Sequence, residues 1–311
     1  MGSWRWIAYL SGAVTCTSGA KVTREGGVVT ILSGLPMDRF DQVLIELQKA
    51  SPAALLAAVA MARQSGHRSV VRLREGLDDR FMTTIMRAGL VRAGEAASAT
   101  GMVAFPIDPN AIQSHRAPGL AIRRVTDAVG IDEHQEVSTA GFGSDPMVAR
   151  GTACSALLAR PECVLYLGYQ ADAPVVSGLG WRTGRTIGVF SNATIESARR
   201  RGYGAAMTAR VMADGVAAGC DVAALQASEM GRPIYQRLGF RTLKDYANDR
   251  FTAAVQPPGR RRPPRQTRRH RCHGRYPRAP AYSGALGGLG PAYTLRKEDK
   301  PCKPTRRLKP R

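Results

Sequence analysis

The stretch from Cys163 to Ala227 constrains the fold most, because it combines three strand-like runs, a glycine loop and a helical pattern in a fixed order. The runs read CVLYLGYQ, PVVSGLGW and TIGVFSNAT, and the connections ADA and RTGR between them are short enough for hairpins. They predict an antiparallel meander. An alanine-rich helix follows, with one stripe formed by Ala205, Ala209, Met212 and Val216. The nearly all-apolar run DVAALQA comes next and is typical of a strand inside a sheet. This order predicts a mixed α/β sheet.

The loop between the third run and the helix reads ARRRGYGAAM and carries its own chemistry. Gly202 and Gly204 are expected to let the backbone approach a ligand closely and to adopt angles denied to other residues. The first turn of a helix presents unpaired N–H groups and a positive dipole end. The pattern therefore predicts a phosphate cradle rimmed by arginines, with a pyrophosphate as the ligand. A P-loop is excluded because no Gly-Lys-Ser/Thr is present. The dinucleotide fingerprint is excluded because Met207 takes the place of its third glycine or alanine.

Two motifs in this region resemble those of the GNAT-type N-acetyltransferases. The loop is similar to the family's acyl-CoA loop, Arg/Gln-x-x-Gly-x-Gly/Ala, and SEMGRPIYQRLGF is similar to its Asn-x-x-Ala-x-x-x-Tyr followed by Gly-Phe. The matched positions are Arg199, Gly202 and Gly204 in the loop, with Ser228, Gly231, Tyr235, Gly239 and Phe240 downstream. Ser228 and Gly231 depart from the family's Asn and Ala. The resemblance covers residues 120–251 and implies a GNAT-like acyltransferase fold.

The resemblance also implies acetyl-CoA as the co-substrate, without a metal. The backbone of residues 200–205 would hold its pyrophosphate, and residues 192–194 would pair with the pantetheine arm where two central strands splay apart. A backbone N–H from that strand would polarise the thioester carbonyl. The predicted acetyl-CoA-binding residues are Asn192, Ala193, Thr194, Arg199, Arg200, Arg201, Gly202, Tyr203, Gly204, Ala205 and Ser228.

Tyr235 is the predicted catalytic residue, because a phenol near the sulfur can give the departing thiolate a proton. Its alternative role is that of a helix aromatic packing on the sheet, and Ser228 has the alternative role of capping a strand end. Some relatives carry a carboxylate base on the strand after the loop helix, but Ala223 stands there. Glu196 and Glu229 are expected to be solvated, so the base stays unassigned.

The chain is predicted to have three parts. Residues 118–255 would form the acetyltransferase domain. Residues 1–117 would form a smaller, degenerate GNAT-like lobe that supports or covers this domain. The segments SPAALLAAVAMARQSG, RSVVRL and DDRFMTTIMRAGL repeat the helix–strand–helix order of the second half. Coincidental similarity is the alternative. Residues 256–311 would form a disordered basic tail.

The tail explains the net charge of +21, since it holds 17 Lys and Arg against two Asp and Glu. It also holds ten of the 19 prolines and too few apolar residues to bury a core. It is either a segment that binds polyanions or a dispensable extension. The rest of the chain has no basic stripe, so nucleic acid is not an expected partner except through the tail.

The six cysteines lie far apart with no CxxC pair, which favours buried free thiols in a cytoplasmic protein. No apolar run is long enough to predict a membrane span. Residues 1–16 are expected to form a first β-strand rather than a secretory signal. The predicted function is a cytoplasmic acyl-CoA-dependent N-acyltransferase. The alternatives are an inactive acyl-CoA-binding sensor and a polyanion-binding protein. The amine acceptor (protein lysine, N-terminus or small molecule) and the oligomeric state stay open.

Overall fold

The computed structural model describes residues 9, 12, 16–35, 37, 40–46, 50–66, 69–74, 76–92, 100–243 and 248–253. They form two mixed sheets, one of six strands and one of seven, with helices packed on them. The mixed α/β architecture predicted from the sequence is confirmed. The predicted disordered tail, residues 256–311, lies outside the described residues.

The first sheet has the strand order β1-β2-β3-β4-β13-β5. Its strands are β1 (Lys21–Glu25), β2 (Val28–Leu32), β3 (Gln42–Ile45), β4 (Val70–Arg74), β5 (Leu90–Arg92) and β13 (Asn248–Ala253). The helices of this half are α1 (Pro52–Gln64) and α2 (Met82–Arg87), the latter preceded by a 3₁₀ turn at Asp79–Phe81. Strands β3 and β4 pair in parallel and the other neighbours are antiparallel.

The second sheet has the order β12-β6-β11-β10-β9-β8-β7. Its strands are β6 (Thr100–Ala104), β7 (Leu120–Arg124), β8 (Cys163–Gln170), β9 (Ala173–Thr183), β10 (Thr186–Thr194), β11 (Val222–Ala227) and β12 (Arg241–Thr242). The helices are α3 (Pro109–Gln113), α4 (Ala128–Phe142), α5 (Pro146–Thr152), α6 (Tyr203–Ala217) and α7 (Arg232–Arg237). Strands β8, β9 and β10 form the predicted antiparallel meander, and β11 pairs with β10 in parallel.

The two sheets exchange one strand each. Strand β6, from the first half of the chain, lies in the second sheet between β11 and β12, and β13, from the end of the second half, lies in the first sheet between β4 and β5. Strand pairing therefore crosses the predicted boundary between residues 1–117 and 118–255 twice. That boundary stays a prediction.

The two halves repeat a helix–strand–helix unit, as the sequence predicts. Helix α1, β4 and α2 of the first half follow one another as α6, β11 and α7 do in the second. Gly66 and Gly219 have φ angles of 73° and 85° after the first helix, and Gly89 and Gly239 have 72° and 84° after the second. Left-handed φ favours glycine, so these positions end the helices alike in both lobes.

Asp127 and Asp145 begin α4 and α5 as N-caps, since their Oδ1 atoms accept the N–H groups of Gly130 and Met147 at 2.8 Å. Ala205, Ala209 and Met212 of the predicted α6 stripe are buried, but Val216 is 40% exposed. It faces an open groove beside α3 and β7 rather than the sheet.

One apolar core joins the two lobes. Val29, Ile31 and Leu44 of the first sheet pack in the same cluster as Trp181 and Phe190 of the second. Because this cluster covers the face of β9 and β10 opposite α6, the first lobe supports the meander directly. The predicted covering role of the first lobe has this physical basis.

The prediction of free thiols is wrong for Cys16 and Cys154, which form a disulfide with Cα atoms 5.5 Å apart. Their separation of 138 positions hides the pairing from any local motif. Cys163 and Cys220 are buried free thiols, as predicted. Cys272 and Cys302 lie outside the described residues. The disulfide removes the thiol argument for a cytoplasmic location.

Tyr9 and Gly12 are helical, so the β-strand predicted for residues 1–16 is wrong at these two positions. Residues 1–8, 10, 11 and 13–15 lie outside the described residues. Within the described residues, no helix combines the length and apolar character needed to cross a membrane.

Candidate functional site

Strands β10 and β11 diverge in the middle of the second sheet. They pair only from Thr186 to Gly188, opposite residues 222–224, and β10 then runs on to Thr194 without a β11 partner. A β-bulge interrupts its ladder with β9 between Phe190 and Ala193. The result is a wedge-shaped opening between two neighbouring strands.

The bulge directs backbone groups of β10 into this opening. Ile195 donates its N–H to Val175 O of β9 at 3.1 Å, and Ala193 is paired with β9 as well. Backbone groups of successive residues in a strand point to opposite sides, so those of Asn192 and Thr194 face away from β9. An extended chain in the opening would meet them as a neighbouring strand would.

The N-terminus of α6 lies beside the opening and leaves its amides free. Arg200 and Gly202 have left-handed φ angles of 63° and 79°, and the first intrahelical bond runs from Ala206 N–H to Gly202 O. Within the described residues, no acceptor meets the N–H groups of residues 200–205. These amides and the helix dipole make a positive concavity suited to an anion.

The three arginines of the loop have different surroundings. Arg199 binds two carbonyls, Thr194 O through Nε at 3.3 Å and Gly141 O through a terminal nitrogen at 2.9 Å. It therefore fixes the end of β10 to the end of α4. Arg201 donates to Gln170 Oε1 at 3.1 Å, while Arg200 is exposed and meets no polar side chain or carbonyl among the described residues. Arg200 is thus the arginine best placed for an external anion.

Asn192 couples β10 to α6 through its side chain. Its Nδ2 donates to Gly204 O at 3.0 Å and to Thr208 Oγ1 at 2.6 Å, while Thr208 donates to Gly204 O at 2.9 Å. The strand edge and the helix N-terminus are therefore held in register. Asn192 was singled out in the sequence for its backbone, and its side-chain role was not predicted.

Gly202 and Gly204 serve different purposes, which corrects the expectation that both adopt glycine-specific backbone angles. Gly202 has the left-handed φ, whereas Gly204 has a φ open to any residue in the first turn of α6. A Cβ on Gly204 would lie 3.6 Å from Thr194 Oγ1 and 3.8 Å from Asn192 Oδ1. Gly204 therefore keeps space open between helix and strand. Tyr203 and Ala205 bury their side chains in the core and leave only backbone amides outside.

Tyr235 lies on α7, the helix after β11, and packs edge-on against Phe240 with centroids 5.9 Å apart. Burial raises the pKa of Tyr235 to about 12, so the phenol is protonated at neutral pH. Its hydroxyl has no hydrogen-bond partner within the described residues. Ser228 is exposed directly after β11, and its Oγ accepts Gly231 N–H at 3.2 Å in the turn that leads into α7.

The positions considered in the sequence for a general base do not supply one. Ala223 is fully buried in β11, while Glu196 and Glu229 are exposed, as the sequence predicts. His134 of α4 was not singled out in the sequence. Its Nε2 lies 3.3 Å from Gly178 O, and burial lowers the pKa of His134 to about 4, so the ring is neutral. Within the described ranges, no three His, Cys, Asp or Glu side chains gather as a metal site.

The corresponding place in the first lobe is closed. Ser51 is the N-cap of α1, and its Oγ accepts Ala54 N–H at 3.1 Å. Pro52, the first residue of the helix, has no N–H to offer a ligand. Gly27 also packs so closely that a Cβ there would lie 3.1 Å from the Ala50 backbone. Among the described residues, a free helix N-terminus beside splayed strands occurs in the second lobe only.

Two solved structures share this two-lobed fold over most of the chain. A GCN5-related N-acetyltransferase from Kribbella flavida is 17% identical, with a TM-score of 0.60 over 82% of this chain and 97% of that chain. A tandem GNAT protein from the clavulanic acid biosynthesis pathway is 12% identical, with a TM-score of 0.54 over 82% and 95%. No protein-family model and no curated protein matches the sequence. The chain therefore has the GNAT N-acetyltransferase fold in its double-lobed form.

Proposed function

We propose that the protein is an acyl-CoA-dependent N-acyltransferase that transfers acetyl from acetyl-CoA to a primary amine. One observation carries the proposal: in the second lobe, the unpaired edge of β10 lies beside the free N-terminus of α6. One extended ligand with an amide-rich arm and a pyrophosphate would satisfy both. The fold shared with N-acetyltransferases supports the same assignment.

In this assignment the pantetheine arm pairs with the backbone of Asn192 and Thr194. The pyrophosphate accepts hydrogen bonds from the backbone N–H groups of residues 200–205. Arg200 adds a charge to that cradle, while Arg199 and Arg201 shape it. The incoming amine attacks the thioester carbonyl carbon, the carbonyl oxygen gains charge, and the carbon–sulfur bond then breaks. A backbone N–H of the splayed strand stabilises the oxygen.

Tyr235 would assist the departing sulfur. Its phenol carries a proton at neutral pH because its pKa is raised to about 12. Since an ordinary thiol has a pKa of about 8.5, full proton transfer from this phenol is uphill, and a strong hydrogen bond to the thiolate is the larger benefit. The proton released by the amine leaves through water, since no carboxylate stands at Ala223.

A second candidate is an acyl-CoA-binding sensor without turnover, which the alanine at position 223 favours. Calorimetric titration with acetyl-CoA tests the site itself. Loss of thioester absorbance with a panel of amines and peptides separates the two candidates. Binding without turnover on any acceptor, including a cell extract analysed by mass spectrometry, would support the sensor. Absence of acetyl-CoA binding would refute both.

The polyanion-binding alternative depends on the basic tail, which lies outside the described residues. It predicts RNA binding with a steep salt dependence that disappears when the tail is removed.

A further inference from the structure

A segment at the N-terminus reaches the bulge of β10 from the face opposite α6. The ring of Tyr9 stacks on Phe190 with centroids 4.1 Å apart and an interplanar angle of 9°, and meets Trp181 edge-on at 6.1 Å. Its hydroxyl lies 3.4 Å from Ser191 Oγ. Gly12 is so close that a Cβ would overlap the indole of Trp181. Tyr9 is 2% exposed, so the contact is fully enclosed.

The residue under Tyr9 has an unfavourable backbone conformation. Ser191 has a φ of 48°, which is rare for a residue other than glycine and persists only where neighbours enforce it. Ser177 Oγ donates to Ser191 O at 3.0 Å from β9. Tyr9 supplies the contact from the other side. Because the bulge turns the amides of the next residues into the opening, its shape determines how β10 meets a ligand.

A covalent bond anchors the segment to the second lobe. Cys16 is joined to Cys154, just after α5, and both cysteines are partly exposed. The free thiols Cys163 and Cys220 are buried. A reducing agent in solution therefore reaches the disulfide more readily than it reaches the described thiols.

We propose that Tyr9 is a positioning residue held by the Cys16–Cys154 disulfide, and that its stacking keeps the bulge in the shape that binds acyl-CoA. A dithiol would transfer two electrons and two protons to the disulfide, forming two cysteine thiols and its own cyclic disulfide. The segment would then lack its covalent anchor, and Ser191 would relax toward an ordinary φ. Acyl-CoA binding would be thiol-sensitive although no cysteine touches the ligand. This inference rests on the proposed acyl-CoA site.

Hydrogen exchange of the full chain tests the positioning without any activity. In the oxidised protein, the amides of Ala193 and Ile195, which face β9, should be protected. Reduction with dithiothreitol should accelerate their exchange about tenfold, the equivalent of roughly 1.4 kcal/mol, because a strained residue loses its support. The peptide covering β8 serves as the internal control and should not change. Unchanged exchange in β10 after complete reduction would overturn the inference.

Variants separate the tether from general loosening. The β10 amides of Cys16→Ser should exchange as fast as those of the reduced wild type, and dithiothreitol should not change their rate. If dithiothreitol still accelerates exchange in this variant, the effect belongs to another cysteine and the proposal is overturned. Tyr9→Ala should reproduce the reduced state with the disulfide intact, and Tyr9→Phe should restore protection because the ring stack remains. Wild-type exchange in Tyr9→Ala would also overturn it.

Calorimetry connects the positioning to the ligand. The acetyl-CoA dissociation constant should be about tenfold higher for the reduced protein and for Tyr9→Ala than for the oxidised wild type. If oxidised protein binds acetyl-CoA and reduction leaves the constant unchanged, the inference fails and the proposed function stands. If the oxidised protein does not bind, the proposed function fails, while the exchange experiment still decides whether Tyr9 holds the bulge.

Discussion

Asn192 and Thr208 are joined by a hydrogen bond of 2.6 Å from Nδ2 to Oγ1, between the splayed end of β10 and the second turn of α6. Both side chains also donate to Gly204 O, so strand and helix meet at one carbonyl. The two halves of the proposed site, the strand edge and the helix N-terminus, are therefore set at a fixed distance by a single polar cluster.

Asn192→Ala should weaken acetyl-CoA binding and reduce stability. It removes two hydrogen bonds, each worth about 1 kcal/mol, and it leaves the backbone of β10 intact. Calorimetric titration and urea unfolding measure the two effects. Thr208→Ala is the matched variant: the bond from Asn192 to Gly204 O remains, so the loss of affinity should be smaller. Equal affinities for wild type and Asn192→Ala would show that the amide has no part in setting the site.

The two glycines of the loop should respond differently to substitution. Gly202→Ala should cost about 1–2 kcal/mol of stability, because a φ of 79° is unfavourable for any residue with a Cβ. Gly204→Val should leave the unfolding free energy almost unchanged, because its position is helical and valine exceeds glycine in helix propensity. Its branched side chain would nevertheless crowd Thr194 and cover the free amides.

Acetyl-CoA affinity should therefore fall strongly for Gly204→Val. Gly204→Ala is its control, since a single Cβ makes only ordinary contacts at 3.6 Å and 3.8 Å. Denaturant unfolding and calorimetry on the same preparations separate stability from affinity. Undiminished affinity in Gly204→Val would move the anion site away from the start of α6.

Local chemistry made the loop, the meander and the repeat predictable. Hairpin spacing, the helix start after Gly202 and the helix ends at Gly219 and Gly239 are each set by a few neighbouring residues. The exchange of β6 and β13 was not predictable, since pairing between distant strands leaves no pattern in either one. The same holds for the bond between Cys16 and Cys154. Ser191 was also missed, because nothing in TIGVFSNAT marks a bulge.

Deleting residues 256–311 should leave unfolding cooperative and acetyl-CoA affinity nearly unchanged. The tail has no core-forming pattern, and β13 ends at Ala253. Ending the chain at Leu243 is the informative contrast, because it removes a strand paired with both β4 and β5. We expect the longer truncation to lose soluble, cooperatively folded protein. Unfolding of the shorter truncation would show that residues beyond 255 contribute to the core.

Acidification should destabilise the protein through His134. Burial lowers the pKa of His134 in the folded state to about 4, below the value of about 6.5 expected for the unfolded chain. The unfolded state therefore binds the proton first, and stability present above pH 6.5 is lost as the pH falls toward 4. The slope is at most about 1.4 kcal/mol per pH unit.

His134→Gln supplies the comparison, because an amide can donate to Gly178 O without titrating. Urea unfolding at half-unit pH intervals should give a shallower dependence for the variant between pH 6.5 and 4. Parallel curves for the two proteins would place the acid sensitivity on other groups.

Tyr235→Phe should lower turnover while leaving the acetyl-CoA dissociation constant nearly unchanged. The ring keeps its contact with Phe240, and the hydroxyl has no partner to lose within the described residues, so stability should fall by no more than about 1 kcal/mol. General acid assistance is typically worth about 10²- to 10⁴-fold. We expect the low end, because a phenol with a pKa of about 12 stabilises a thiolate more than it protonates it. The loss should appear in kcat and kcat/KM together, as for an interaction made in the transition state.

Tyr169→Phe is the control for Tyr235→Phe. The hydroxyl of Tyr169 donates to Glu133 at 2.6 Å, and its removal should alter stability alone. Wild-type turnover in Tyr235→Phe would make Tyr235 a packing residue and favour the sensor over the enzyme.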